Sequence, residues 1–332
     1  MSLCVLNPGP LTTVQDLGRE GCAAEGFRRC GAADDYAAWL ANLLIGNNPG
    51  DAVLETTLRG PEVQFVTGAV FALAGAEADA ALDGRPVPFF TPAFAPAGSR
   101  LTIGTARAGL RSYLAVWGGI AVAPVRGSRA TDLACHLGGF SGRALHPGDV
   151  LPLARTGQEA AAHWQELCRR HLDRPLGDRV VCQGPAPWRQ LGTERLPLLR
   201  AVPGPQAAAF TPGARDLFVH SIYRLTPDCN RMACKLQGPA LETVAGADIL
   251  SDGIVEGSVQ VSGNGQPIVM LADHQTTGGY AKIGTVISAD LPALAQLRPG
   301  QAVAFDWIDP AGAVAAARHR AALLQQVKER LS

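Results

Sequence analysis

Ala78-Asp79-Ala80-Ala81-Leu82-Asp83-Gly84-Arg85-Pro86-Val87 carries the clearest local instruction in the chain. Two alternating runs flank Asp83-Gly84, a dipeptide that readily adopts the positive φ angles of a two-residue hairpin. Short apolar runs separated by turn residues extend the pattern to both sides. They occupy 52–58, 62–67 and 70–74 before the hairpin, then 100–104 and 110–117 after it, ending at Gly118-Gly119. Strands this short and closely spaced predict a closed or nearly closed antiparallel barrel. Helical periodicity is confined to a few places. Asp34 to Ile45 puts Trp39, Leu40, Leu43 and Leu44 on one face, with Asp34 placed to cap and Gly46 to terminate. A second amphipathic helix over 157–172 carries Ala160, Trp164, Leu167, Cys168 and His171 on one side and joins two halves.

The texture of the first half returns beyond that helix. Strands are predicted at 179–182, 198–202, 216–220, 232–236, 258–261, 268–272 and 281–287. A helix from Ser288 to Leu297 follows, with Ser288 as cap and Pro292 tolerated in its first turn. A closing strand spans 301–308. The tail places Val314, Ala317, Ala321, Leu324, Val327 and Leu331 on one face of a docked C-terminal helix. The expected class is mainly β: two tandem β-barrel domains at 1–155 and 178–310, a connecting helix at 156–177 and a final helix at 311–332.

Composition narrows the function classes. The 332 residues hold 29 basic and 29 acidic side chains, so no net field selects nucleic acid or an anionic membrane. Glycine and proline together (38 and 24) exceed ordinary usage, while charged residues at 17% fall below the usual ~25%. The longest uncharged stretches, 63–76, 112–125 and 257–272, are shorter than the ~20 residues a spanning helix needs. The opening residues carry neither a basic leader nor an apolar signal core. Eight cysteines without a Cys-x-x-Cys pair predict reduced, mostly buried thiols and a cytoplasmic setting, with no structural metal.

Four segments concentrate polar groups where a barrel needs only turns. In the first, Thr12, Thr13, Gln15, Asp16 and Arg19 offer hydroxyl, amide, carboxylate and guanidinium groups; Asp16 paired with Arg19 would equally pin a loop. The second holds Arg111 and Tyr113, then Arg126-Gly127-Ser128-Arg129, and its planar guanidinium forks suit a carboxylate or phosphate. The third is Cys229-Asn230-Arg231-Met232. The fourth and richest is Asp273-His274-Gln275-Thr276-Thr277-Gly278-Gly279-Tyr280. There, backbone N–H groups are free to converge on an anion, Asp273 or His274 can move a proton, and Gln275 can orient a carbonyl. No dinucleotide fingerprint, P-loop, zincin helix or nucleophile elbow is present. Cys229 has no histidine nearby in sequence to activate it.

Taken together these segments resemble the family variously called biotin-dependent carboxyltransferase, allophanate hydrolase subunit 2 or the C subunit of 5-oxoprolinase. The likeness runs from about Leu6 to Ile308. It is carried by the stretches 10–19, 109–119 and 273–280, with Gly46-Asn47, Leu54-Glu55, Gly127-Ser128-Arg129, 203–206, Asn230-Arg231-Met232 and 296–300 also matching. The resemblance implies two cyclophilin-like β-barrels working with a second cyclophilin-like subunit, the B type of 5-oxoprolinase, and with an A-type subunit. It implies one of three roles: ATP-dependent opening of 5-oxoproline (pyroglutamate) to L-glutamate; biotin-dependent carboxyl transfer to urea or a related amide; or regulatory binding of a histidine-kinase inhibitor. The sequence departs from the family pattern at Ala130, Cys229, Ala233, Lys235 and His274. Lys235 and His274 stand where arginine is usual, a change that matters wherever a planar fork is needed.

No biotin-carrier segment is present, so lactam opening with ATP in the complex is the first reading and biotin chemistry the alternative. Opening an amide requires donors at the developing oxyanion and a proton shuttle. Asp16, Gln15, Arg231, Asp273 and Gln275 are the candidate catalytic residues. Thr12, Thr13, Arg111, Tyr113, Ser128, Arg129, Asn230, Thr276, Thr277, Gly278, Gly279 and Tyr280 are the candidate substrate contacts.

Overall fold

A computed structural model describes residues 2–171, 188–191 and 194–331. The strand expected at 179–182 and the end of the connecting helix beyond His171 lie outside the described residues. Two compact units make up the chain: Met1–Arg19, Cys30–Cys182 and Gln325–Ser332 form one, Glu20–Arg29 and Gln183–Leu324 the other.

The first unit contains β1 (Ser2–Asn7), β2 (Thr12–Gln15), α1 (Asp35–Leu44), β3 (Val53–Thr57), β4 (Glu62–Phe65), β5 (Ala69–Gly75), β6 (Ala78–Leu82), β7 (Arg85–Pro86), β8 (Ala93–Ala95), β9 (Arg100–Ala106), β10 (Arg111–Val116), β11 (Val150–Pro152) and α2 (Gly157–His171). Its strands form two sheets, ordered β11-β1-β4-β9-β6-β7 and β2-β3-β10-β5-β8. Leu82 pairs with Arg85, and Asp83 and Gly84 have φ of 50° and 79°, the tight hairpin expected from the dipeptide. Leu3, Val63 and Leu101 of one sheet and Val14, Leu54, Leu73 and Leu114 of the other enter a single buried cluster. Asp34 caps α1 by accepting from the Ala37 N–H at 2.9 Å, and Gly46 follows the helix with φ 74°. At the start of α2, Thr156 and Glu159 exchange side-chain and backbone bonds of 2.7 and 3.0 Å, a reciprocal capping box.

The second unit contains β12 (Trp188–Leu191), β13 (Glu194–Pro203), α3 (Pro212–His220), β14 (Ile222–Leu225), β15 (Ala233–Gln237), β16 (Asp248–Gly253), β17 (Ser258–Val261), β18 (Pro267–Met270), β19 (Thr277–Tyr280), β20 (Lys282–Val286), α4 (Leu291–Ala295), β21 (Ala302–Trp307) and α5 (Pro310–Leu331), whose last turns belong to the first unit. The order β13-β20-β17-β18-β15-β14-β21 closes on itself through β13–β21, a seven-strand barrel around Leu199, Tyr223, Leu236, Val259, Val269, Ile283 and Phe305. The closing pair is parallel, from Leu198↔Ala304 to Ala201↔Trp307. A ring with an odd number of strands cannot alternate direction all the way round, so one parallel seam is unavoidable and the expected antiparallel barrel is corrected there.

Other expectations change with their physical cause. Residues 216–220 are helical, not a strand, because Thr211 accepts from Ala214 N–H at 3.1 Å and Pro212 opens α3. The helix expected from Ser288 shrinks to α4. Asp290 precedes it and commits its carboxylate to Arg200, with contacts of 2.6 to 2.9 Å, in place of a side-chain cap. On α5, Val314, Ala317 and Ala321 stay exposed, Leu324 is half-buried, and among the described side chains of the expected face only Val327 is buried. None of the described cysteines is in a disulfide; Cys30 and Cys234 are buried while Cys135 is exposed, so they are not mostly buried. No described helix is long and apolar enough to cross a membrane.

Candidate functional site

Strand alternation in the first unit produces one apolar and one polar sheet face. Val14, Leu54 and Leu114 lie in register across β2, β3 and β10 and point into the core; one residue earlier or later, Thr13, Glu55 and Tyr113 form a polar row. Glu55, 2% exposed, is the hub of that row. Its Oε2 accepts from Ala33 N–H at 2.8 Å and from the Tyr113 hydroxyl at 2.9 Å, and its Oε1 lies 3.7 Å from Arg111 Nε. The Tyr113 oxygen in turn accepts from Asp34 N–H at 2.8 Å, tying the row to the start of α1. Burial, then the negative charges of Glu55 and Asp34, push the Tyr113 phenol well above its ordinary pKa.

Asp16, just beyond β2, organises a loop. Its carboxylate accepts from Gly18 N–H at 2.8 Å, Ser128 hydroxyl at 2.7 Å and Arg129 N–H at 2.5 Å. Arg19 is not its partner: that guanidinium reaches the carbonyls of Val125 and Ala130 instead. Gln15, fully buried, donates to Thr13 Oγ1 at 3.0 Å and the Thr131 carbonyl at 3.3 Å. The Gln15 Oε1 and Arg19 Nη1 atoms are buried without a hydrogen-bond partner. Gly138 (φ 65°) makes room for the Arg19 guanidinium, since a Cβ there would stand 2.2 Å from both Arg19 Nη2 and the Ala130 carbonyl oxygen. Thr12 donates to the Pro8 carbonyl at 2.5 Å, and Arg129 Nε to the Val122 carbonyl at 2.8 Å.

In the second unit, Arg231 and Asp273 form a bidentate pair at 2.9 and 2.8 Å, each under a tenth exposed. Backbone bonds hold them in place: Asp273 N–H donates to the Arg231 carbonyl at 3.0 Å. Asn230 shapes the preceding turn by accepting from Met232 N–H at 2.7 Å and Ala233 N–H at 3.2 Å. His274 Nδ1 lies 2.7 Å from the Gln275 carbonyl oxygen. A carbonyl only accepts, so Nδ1 carries the proton and Nε2 the lone pair. Burial holds the His274 pKa below the usual imidazole range, and the positive charges of Arg29 and Arg28 add to it, so the ring is neutral at pH 7. Gln275 Oε1 is buried without a hydrogen-bond partner.

Thr277 to Tyr280 is extended, paired with β16 through Gly253↔Thr277, Asp252↔Gly278 and Asp248↔Tyr280. Successive N–H groups of a strand point to opposite sides, so this segment is not the converging anion nest that the two glycines suggest. At Gly278 a Cβ would stand 2.5 Å from Ile254 Cδ1 and 2.7 Å from Gln260 Nε2, the ends of two side chains that would have to move aside. Beside the segment, buried Lys282 donates to Asp252 at 2.6 Å and to the Gly253 carbonyl at 2.7 Å, which holds the Asp252 carboxyl below its usual range.

The candidate residues thus gather into two groups. Thr12, Thr13, Gln15, Asp16, Arg111, Tyr113, Ser128 and Arg129 belong to the first unit; Asn230, Arg231, Asp273, Gln275, Thr276, Thr277, Gly278, Gly279 and Tyr280 belong to the second. Several are structural in their contacts: Asn230 forms a turn, and Asp16, Arg231 and Asp273 have their charged groups engaged. Sequence reasoning passed over Glu55, Arg28, Lys282 and Asp252. Glu55 had a usable signal, a carboxylate inside the apolar run Ala52-Val53-Leu54. No group of three or more metal-ligating side chains occurs among the described residues.

Residues 25–307 match the family described as carboxyltransferase domain, subdomain A and B, and the chain belongs to that family. It is 40% identical over 306 residues to the 5-oxoprolinase C subunit of Escherichia coli, covering 91% of this chain and 90% of that one. It is 33% identical over 324 residues to the 5-oxoprolinase C subunit of Haemophilus influenzae, covering 98% and 97%. The crystal structure of Kluyveromyces lactis urea carboxylase superposes with a TM-score of 0.84 at 26% identity, covering 98% of this chain and 29% of that one.

Proposed function

We propose that this chain is the C subunit of an ATP-dependent 5-oxoprolinase that opens 5-oxoproline to L-glutamate together with subunits of A and B type in the cytoplasm. The observation that carries the reading is the match to the Escherichia coli C subunit over nine-tenths of both chains. A lactam is inert because its nitrogen delocalises into the carbonyl; opening it calls for donors at the developing oxyanion and a group that handles the nitrogen's proton. Arg19 Nη1, which has no hydrogen-bond partner, is a donor of the right kind.

The residues here do not fit a nucleotide. The glycine pair at 278–279 lies in an extended strand, and no phosphate-cradling loop accompanies it, so ATP is assigned to the partner subunits and no step is derived through it. Purification of the three subunits together, followed by measurement of ADP and glutamate formed from ATP and 5-oxoproline, tests the reading. An intact complex that forms neither product rejects it.

The likeness to urea carboxylase favours a second reading, carboxyl transfer from a biotin carrier to urea or a related amide. That reading requires biotin-dependent bicarbonate exchange when a carrier protein is supplied, and absence of exchange removes it.

A further inference from the structure

Cations of the second unit around the 273–280 segment are mostly matched by carboxylates. Arg231 meets Asp273 at 2.8 Å, Lys282 meets Asp252 at 2.6 Å, and Arg29 meets Glu256 at 3.0 Å. Arg28 differs. It is half-buried, its Nη1 donates to the Asp273 carbonyl oxygen at 3.3 Å, and among the described residues no carboxylate lies within ion-pairing distance of it. Its anchor is the carbonyl of the residue before His274, and its charge acts on the His274 ring, whose Nε2 is an acceptor with no donor among the described residues.

We propose that Arg28 and His274 together recognise a carboxylate-bearing secondary amide, Arg28 taking the carboxylate and His274 Nε2 accepting a hydrogen bond from the amide N–H. The assignment rests on the lactam reading above and sharpens it. In 5-oxoproline the ring nitrogen and the carboxylate are borne on neighbouring atoms, so an acceptor and a cation standing side by side meet both. Urea has N–H groups for His274 but no carboxylate for Arg28. A half-buried guanidinium that has spent one contact on a backbone oxygen keeps donors for a carboxylate. His274 serves only while its imidazole is neutral, the state its surroundings favour.

The test compares 5-oxoproline with 2-pyrrolidinone, the same lactam without a carboxylate, on the chain assembled with its partner subunits. Equilibrium binding is measured without ATP and turnover with it. Wild type binds 5-oxoproline more tightly than 2-pyrrolidinone. Arg28→Ala raises Kd and KM for 5-oxoproline on the order of tenfold or more, the loss of one charge-assisted contact, and leaves 2-pyrrolidinone binding where it was. Arg28→Lys recovers part of the preference, which excludes simple misfolding. His274→Phe weakens both lactams, since both carry the N–H. An Arg28→Ala complex that keeps the wild-type preference overturns the proposal. Binding that depends on Arg28 without any turnover upholds it and rejects the 5-oxoprolinase reading instead. A wild-type complex that binds neither lactam rejects both.

Discussion

Replacing Asp273 by asparagine preserves shape and removes one charge, leaving the Arg231 guanidinium, only 4% exposed, without its bidentate partner. Breaking a buried ion pair from one side costs about 3–5 kcal/mol, because the surviving charge stays desolvated and loses the contact that offset its burial. Against a typical total of about 5–15 kcal/mol this is a large fraction of the stability. Arg231→Met leaves the opposite charge stranded and has a cost of similar size. The double variant Arg231→Met with Asp273→Leu removes both charges and recovers to within about 1 kcal/mol of wild type, since apolar replacements of buried pairs are often neutral or better. The four proteins form a cycle whose interaction term reports the pair. Amide hydrogen exchange gives the local readout: Leu271 N–H, which donates to the Met232 carbonyl at 2.9 Å, and Asp273 N–H, which donates to Arg231 at 3.0 Å, lose protection in each single variant and regain it in the double. If Asp273→Asn lowers stability by less than about 0.5 kcal/mol, the burial argument is wrong and the other contacts of Arg231 hold its charge without Asp273.

Asp16→Ala strips the acceptor from Gly18 N–H, Ser128 hydroxyl and Arg129 N–H; stability falls by about 2–4 kcal/mol and the amides of Gly18 and Arg129 exchange faster. Because the folded-state pKa of Tyr113 lies above its unfolded value, the stability it contributes is complete below the ordinary phenol range and lost as pH rises through the folded pKa; absorbance at about 295 nm shows this tyrosine titrating only with unfolding, and Tyr113→Phe removes that step. Cys229 is brought down to about 7, chiefly by a bond from Cys234, so its iodoacetamide reactivity has a midpoint near that pH, which Cys234→Ala moves upward. The sign is opposite to that of Tyr113: stabilisation from Cys229 is present above the usual thiol value and lost as pH falls through about 7. Gly138→Ala, blocked by the Ala130 carbonyl and Arg19 at 2.2 Å and by a φ of 65°, destabilises the first unit by at least about 1–2 kcal/mol in urea unfolding.

Legibility in the sequence followed the range of each interaction. Asp83-Gly84 and Asp34-to-Gly46 were readable because a turn's φ requirement and a helix's caps act between residues a few positions apart. The stretch 216–220 misled for the complementary reason: its short apolar run, Leu217-Phe218-Val219, suits a strand, but Thr211 and Pro212, outside the window, decide for helix. Barrel closure by β13 and β21 joins strands about a hundred residues apart and leaves no local trace. At the candidate site the residue types were visible and their partners were not. Asp16 and Arg231 stood out as chemistry-bearing, yet Asp16 is engaged by Ser128, 112 residues on, and Arg231 by Asp273, 42 residues on.

Those engagements alter how the proton chemistry is to be sought. A carboxylate that already accepts three hydrogen bonds, or two from one guanidinium, has its oxygens committed and little left to offer a substrate. Asp16 and Asp273 are both in that position. His274 is not: its Nδ1 proton is held by a carbonyl, its Nε2 lone pair is uncommitted among the described residues, and protonation there breaks no existing bond. The same reasoning makes Arg28 more informative than the better-placed arginines, because a guanidinium already matched to a carboxylate has little left to offer a ligand, whereas Arg28 has spent only one contact, on a backbone oxygen.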